Sequence, residues 1–183
     1  MSVIDIIIGL IWIVFWVYWL ISAAGSKQNL QSRGGVSIAI RLAIFLMVVV
    51  IIRSSPKGIL WSQHDPVIQA IGLALLIMGI LLAIWARVYL GRNWGMPMSL
   101  KVKPQLVTTG PYEKIRHPIY SGIILAVFGT GLATSPYWFI AFVAVCIYFV
   151  WSAFVEERIM TQQFPKIYTE YKHNSKMFIP FIY

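Results

Sequence analysis

The chain has 183 residues, of which 59% are hydrophobic and 11% charged, with a mean hydropathy of +0.76. Soluble domains carry about 25% charged residues, so this is the composition of a membrane protein; it excludes a secreted disulfide scaffold, a disordered tail and a conventional nucleic-acid binder. Fifteen Lys and Arg against six Asp and Glu give a net charge of +9, an excess that in so apolar a chain marks loops facing the cytoplasm and anionic headgroups. The one cysteine, Cys146, lies in an apolar run and cannot form an internal disulfide, so it carries no information on redox compartment.

A bilayer core needs about 20 apolar residues in helical form, and five runs approach that length: 3–24, 36–52, 67–90, 119–133 and 137–155. The predicted fold is therefore all-α and integral to the membrane, with five transmembrane helices. The first run lacks a basic start, carries Asp5 and is too long for a cleaved leader, so a retained helix is expected. Its Trp12, Trp16 and Trp19 fall at i, i+4 and i+7 and read as a lipid-facing or packing stripe. The second run carries Arg41 near one end. On the third, Gly72, Gly79 and Ala83 share one face, and Gly122 and Ala126 form a small-xxx-small pair on the fourth. Small residues let helices approach closely in lipid, where no hydrophobic drive acts between them.

The fourth run reaches only about 22 Å at about 1.5 Å per residue. The fifth follows directly after Thr134-Ser135-Pro136, so the two are predicted to form a tight helical hairpin whose tip lies below the far headgroups. Segments 25–35 and 53–66 read as ordinary polar connectors. Segment 91–118 is long, basic and punctuated by Pro97, Pro104, Gly110 and Pro111, which suits a functional loop. The tail 156–183 opens with helix formers. It is expected to carry the fifth helix into the cytoplasm as a C-terminal helix ending by about Lys172, with Asn174-Ser175 breaking it and Pro180 unable to extend it. The organisation expected is one compact membrane domain, with three helices in 1–90 and the chemistry in 91–183.

Threading five helices with the N-terminus outside puts Lys27, Arg33, Arg41, Arg87, Arg92, Lys101, Lys103, Lys114, Arg116, Arg158, Lys166, Lys172 and Lys176 on the inner side. Only Arg53 and Lys57 fall outside. Basic loops stay in the cytoplasm, so the C-terminus is expected there, in a prokaryotic plasma membrane.

Two polar segments should then converge on one membrane face. Arg116-His117-Pro118 opens the fourth helix, where proline suits the first turn and the unpaired backbone N–H groups favour an anionic group that Arg116 would also attract. The plainer reading is a membrane-border arginine before a helix-starting proline. Glu156-Glu157 closes the fifth helix. Two carboxylates at a membrane exit are costly unless solvated or paired, so they suit a cationic ligand such as an amine or sulfonium, or else a solvated pair balanced by Arg158. Histidines 64, 117 and 173 show no metal-ligand spacing, so no metal is expected, and no catalytic triad, phosphate loop or dinucleotide fingerprint is visible.

Taken together, Gly110-Pro111-Tyr112, Arg116-His117-Pro118-Ile119-Tyr120 and Gly122 resemble the signature of the isoprenylcysteine carboxyl methyltransferase and phospholipid methyltransferase superfamily. Leu90-Gly91-Arg92-Asn93-Trp94 and Leu106-Val107 upstream, and Glu156-Glu157, Phe164, Tyr168, Tyr171 and Pro180 downstream, are similar to its companion pieces; the resemblance runs from Leu90 to the end. It implies a multi-pass helical enzyme that uses S-adenosylmethionine at the cytoplasmic face. By position, Gln105, Leu106, Val107, Gly110 and Tyr112 would line the cofactor, and Arg116, His117, Pro118 and Tyr120 would hold it at the helix start. Glu156 or Glu157 would bind its amino group or ribose hydroxyls. Arg116 and Glu156 are the residues expected to act at the reaction centre.

Two positions depart from the pattern: Pro104 stands where some relatives have histidine, and Pro165 where a glycine often follows the phenylalanine, implying a different kink in the tail helix. The implied partner is a lipophilic methyl acceptor met within the membrane lipid, whether an isoprenylcysteine-type carboxylate, a lipid amine or a thiol. The alternatives are a nicotinamide-dependent membrane reductase of the sterol-reductase type, which shares a similar C-terminal architecture, and a non-enzymatic transporter or scaffold. A transporter would place charge near mid-span, whereas Asp5, Arg41 and Arg87 all lie near helix ends.

Overall fold

The structure is a computed structural model that describes residues 3–23, 29–32, 65–93, 99–101 and 105–180. The helix expected over 36–52 lies outside the described residues. Those that are described form helix α1 (Val3–Ala23), strand β1 (Asn29–Ser32), helix α2 (Pro66–Leu90), strand β2 (Ser99–Lys101), α3 (Pro118–Ala133), α4 (Trp138–Gln163) and α5 (Pro165–Asn174). Short 3₁₀ turns occupy Gly91–Asn93 and Gly110–Glu113. Helices α1, α2 and α4 are long and apolar enough to cross a membrane, and α3 is a shorter apolar helix.

The framework is helical, as expected, with one correction. Strands β1 and β2 pair antiparallel between two connectors that read as loops. Runs of three or four residues are too short to display the alternation that betrays a strand.

Helix α2 begins and ends for visible local reasons. The Asp65 carboxylate accepts a hydrogen bond from the Val67 N–H at 2.8 Å, and Pro66 fills the first helical position, where its missing N–H costs nothing. At the other end Gly91 takes φ +51°, in the left-handed region, and its N–H donates to the carbonyls of Arg87 and Val88.

The antiparallel contact of α2 with α3 is a seam of small residues. A Cβ on Gly79 would sit 2.4 Å from the Gly122 carbonyl oxygen and 2.5 Å from the Ala126 nitrogen. One on Gly122 would meet the Ala83 nitrogen at 2.7 Å, and one on Gly129 the Gly72 carbonyl at 2.5 Å. The backbones are therefore in direct contact, which in lipid replaces the hydrophobic drive with dispersion between close-packed chains. This is the face that Gly72, Gly79, Ala83, Gly122 and Ala126 announce in the sequence.

Helix α1 lies against this pair through Ile8 and the fully buried Phe15, beside Leu76 and Ile80. The tryptophan stripe divides its work. The Trp12 indole N–H donates to the Thr130 hydroxyl of α3 at 3.1 Å, Trp19 packs against the core, and Trp16 stays exposed. Arg87, buried near the end of α2, donates to the Ser22 carbonyl at the end of α1 and to the Gly91 carbonyl at 2.7 Å. That guanidinium pins two helix C-termini, where a cation also suits the helix dipole.

The turn between α3 and α4 is as tight as expected. The Thr134 N–H returns to the Thr130 carbonyl, and the Trp138 N–H to the Ser135 carbonyl at 3.0 Å. The tail bends at Pro165, where a kink was expected, but the bend is a full break. The helix expected to continue to about Lys172 stops at Gln163, and α5 restarts at Pro165. Phe164 takes φ −133° and ψ 63°, outside the helical region, because a residue before proline is pushed out of it. The restarted helix then runs to Asn174, where the expected Asn174-Ser175 break stands.

A methyl group at the seam should be costly. Gly79→Ala is expected to destabilise the protein by about 1–3 kcal/mol. Gly9→Ala, with nothing within 4 Å of the added carbon, is expected to be neutral or stabilising by about 0.5–1 kcal/mol. Thermal unfolding of both variants in detergent measures the difference.

Candidate functional site

The loop before α3 is shaped by its Gly-Pro-Tyr run. Gly110 takes φ +61°, and the Tyr89 ring of α2 lies where its Cβ would be, 2.4 Å from the ring's Cε1. Only glycine meets both demands. Pro111 then starts the 3₁₀ turn and Tyr112 is buried beneath it. The chain turns again at Ile115-Arg116-His117 and enters α3 at the fully buried Pro118.

The tail returns across this corner. Ile115 and Lys176 form a parallel bridge. The N–H of Arg116 donates to the Lys176 carbonyl at 2.8 Å, that of His117 to the Met177 carbonyl at 3.1 Å, and that of Lys176 to the Lys114 carbonyl at 2.9 Å. The Ser121 hydroxyl donates to the Phe178 carbonyl at 2.7 Å. Residues 175–178 are thus a strap over the start of α3, and the sequence reading did not foresee it.

Within this frame the two acidic and basic motifs meet. Arg116 Nε donates to Glu157 Oε1 at 2.6 Å, with both side chains almost completely buried. Arg116 Nη1 also donates to the carbonyl oxygens of Ser175 at 2.5 Å and Lys172 at 3.3 Å, closing the end of α5. Lys172 Nζ reaches Glu157 Oε2 at 2.9 Å. His117 Nε2 lies 3.7 Å from Glu157 Oε1, and His117 Nδ1 lies 3.6 Å from Glu156 Oε2. The Tyr120 hydroxyl donates to Glu156 Oε1 at 2.5 Å.

Adjacent helical residues point about 100° apart, and the two glutamates accordingly serve different neighbours. Glu157 faces the cations of the corner and tail. Glu156, with 24% of its side chain exposed, faces the aromatic side. There His117 stacks on Tyr120 with ring centroids 5.3 Å apart, and Tyr120 on Phe149 at 4.3 Å. The Tyr171 hydroxyl donates to the Tyr112 carbonyl at 2.5 Å, tying α5 to the Gly-Pro-Tyr turn.

The phenols around the site are neutral donors at physiological pH. Burial pushes the Tyr171 phenol up to about 12 and holds Tyr112 and Tyr168 well above the ordinary tyrosine range, with nearby Tyr171 adding to the effect on Tyr112 and Glu157 to that on Tyr168.

The residues expected at the site fall into three groups. Arg116, His117, Tyr120, Glu156 and Glu157 are brought into one connected cluster. Tyr112, Pro118 and half-buried Val107 form the wall behind it. Gln105 is exposed and accepts from the Asn93 side-chain amide at 3.2 Å, Leu106 is half-buried, and Gly110 serves the turn. Lys172 and Ser175 were missed. A lysine seven residues beyond a helix-interrupting proline gives no local hint that it will return to a carboxylate. An open groove of about 840 Å³ adjoins the cluster and takes in Arg116 and Glu157 of the expected set.

Comparison with known proteins identifies the family. A model of the phospholipid methyltransferase family matches residues 67–167. The chain belongs to that family. The matched segment begins earlier than Leu90 and takes in α2, whose glycine seam holds α3 in place. Among curated proteins, it is 32% identical over 123 residues to protein-S-isoprenylcysteine O-methyltransferase B of Arabidopsis thaliana, covering 63% of this chain and 60% of that protein. It is 31% identical over 113 residues to the nickel-cobalt-cadmium resistance protein NccN of Alcaligenes xylosoxydans xylosoxydans, covering 60% and 52%. The chain thus spans little more than half the length of these curated relatives. Among the described residues no group of three or more His, Cys, Asp or Glu is placed to hold a metal ion.

Arg116→Ala should leave Glu157 buried beside only its weaker partners. The expected loss is about 3 kcal/mol or more, with the tail from 165 onward released first. Limited proteolysis and thermal unfolding of the variant check both.

Proposed function

We propose that this protein transfers a methyl group from S-adenosylmethionine to a lipophilic acceptor reached from the bilayer. The single observation that carries the reading is the 2.6 Å contact of Arg116 with Glu157, which joins motifs 41 residues apart into one polar cluster at the ends of two apolar helices.

The cluster suits the donor's chemistry. S-adenosylmethionine presents an α-ammonium, an α-carboxylate, ribose hydroxyls and an apolar-faced adenine. His117 Nε2 is buried with no hydrogen-bond partner among the described residues, an arrangement that costs stability unless a ligand atom completes it. Glu156 offers a partly exposed carboxylate oriented by the Tyr120 hydroxyl, which suits an ammonium. Tyr112, Tyr120 and Val107 offer apolar and aromatic surface. Of the two glutamates, Glu156 is the better ligand, because Glu157 is already taken by Arg116 and Lys172.

When bound, the sulfonium supplies a methyl group with a good leaving group already attached. The protein's share is then positioning and exclusion of water. Glu156 binds, Tyr120 orients Glu156, and His117 keeps its ring plane by stacking. Arg116 is a positioning residue that holds Glu157, the end of α5 and the strap in one piece. Membership of a methyltransferase family favours this reading over the nicotinamide-dependent alternative. The inward bias of basic residues supports a cytoplasmic site in a plasma membrane, and the names of the family and of the plant relative support an acceptor carried on lipid or a prenyl chain.

Detergent-purified protein should bind S-adenosylmethionine or its demethylated product in calorimetry. Glu156→Gln is expected to weaken that binding by about 1–3 kcal/mol. No binding by the wild-type protein, or an unchanged affinity in Glu156→Gln, overturns the reading or the role of that residue, respectively.

A further inference from the structure

The outward face of α4 carries a continuous apolar stripe that ends in a basic groove. Ile140, Val143, Ile147, Trp151 and Phe154 are all exposed and recur at spacings of three and four, so they line one side of the helix. Arg158 follows Phe154 by one further turn on that side. At 26 residues, α4 is about 39 Å long, more than the about 30 Å of a hydrocarbon core. Its last turns therefore emerge at the headgroup level when the stripe is in lipid.

The groove of about 840 Å³ opens there, with Phe154 at its apolar end and Arg158, Lys172 and Lys176 around it. Its one lining carboxylate, Glu157, is buried and already held by Arg116 and Lys172. Arg158 and Lys176 form no ion pair among the described residues and both are exposed. The groove thus offers two uncompensated cations beside an apolar track.

We propose that this groove binds the phosphate headgroup of an anionic membrane lipid, whose acyl chain lies along the α4 stripe. Arg158 forks onto the phosphate and Lys176 adds a point charge. A free phosphate ion would satisfy the cations but would have no use for Phe154, and the unbroken run from stripe to groove favours the lipid. The groove adjoins the aromatic cluster through Arg116 and Glu157, so lipid binding is tested apart from the methyl donor.

The test is native mass spectrometry of the full chain in detergent, given equal amounts of phosphatidylglycerol and phosphatidylcholine, with no methyl donor present. The wild-type protein is expected to retain phosphatidylglycerol preferentially by about fivefold or more, since each cation near a headgroup contributes about that factor. Arg158→Gln with Lys176→Gln should bring the preference close to one. Arg158→Lys should keep most of it, and Lys166→Gln, on the exposed face of α5, should leave it unchanged. Both groove side chains are exposed and the Lys176 bridge uses only backbone atoms, so the fold survives, as thermal unfolding will register. Phe154→Ser should reduce retention of both lipids. Equal retention of the two lipids by the wild type, an undiminished preference in the double variant, or displacement of the lipid by inorganic phosphate at equal concentration overturns the proposal.

Discussion

The arrangement of the polar end of this protein depends on one buried carboxylate. Glu157 is almost wholly out of water, a state that a lone carboxylate would not tolerate. It is held there by Arg116 at 2.6 Å and Lys172 at 2.9 Å. The carboxylate and its two partners come from three separate places: Glu157 from the last turns of α4, Arg116 from the corner before α3 and Lys172 from the far end of α5. Satisfying one charge therefore fixes the mutual position of three segments. Arg116 extends the tie by donating to the Ser175 carbonyl, which delivers the strap to the corner, where its carbonyls take up the N–H groups of Arg116 and His117.

This explains why two neighbouring glutamates are not redundant. Glu157 is spent on architecture. Glu156, turned away by the helical step, is presented to His117 and Tyr120 on the aromatic side. Read as a string, the pair looks like a duplicated acid. In space one is a buried structural anion and the other a partly exposed carboxylate on the aromatic side. Arg116 shows the same displacement of role: the sequence offers it to an anionic group, and the structure occupies it with Glu157 and two backbone carbonyls.

What could be read in advance follows from how local each signal is. Helix existence and length are written in continuous apolar runs, and the α2–α3 seam in glycines and alanines at helical spacing, because in lipid small size is itself the packing signal. The tight turn was visible in Thr134-Ser135-Pro136. Meeting of the 116–118 corner with the 156–157 pair followed from hairpin geometry. Pro165 signalled a kink, while the helix-forming residues on either side hid that it would be a full break at Phe164. The strap and the return of Lys172 could not be seen, because a single parallel bridge and one long-range ion pair leave no periodicity. The two short strands failed to register for the same reason.

The shortness of α3 has a mechanical consequence for the bilayer around it. At 16 residues it reaches about 24 Å, some 6 Å less than an average hydrocarbon layer. Its partner α2, at 25 residues, has ample length. A helix clamped backbone-to-backbone against a longer one cannot correct this mismatch by sliding or tilting on its own. A bilayer crossed by both helices would instead thin beside the α3–α4 turn, with its lipid tails shortened or splayed. A fold so placed would favour membranes soft or thin enough to dimple at that point.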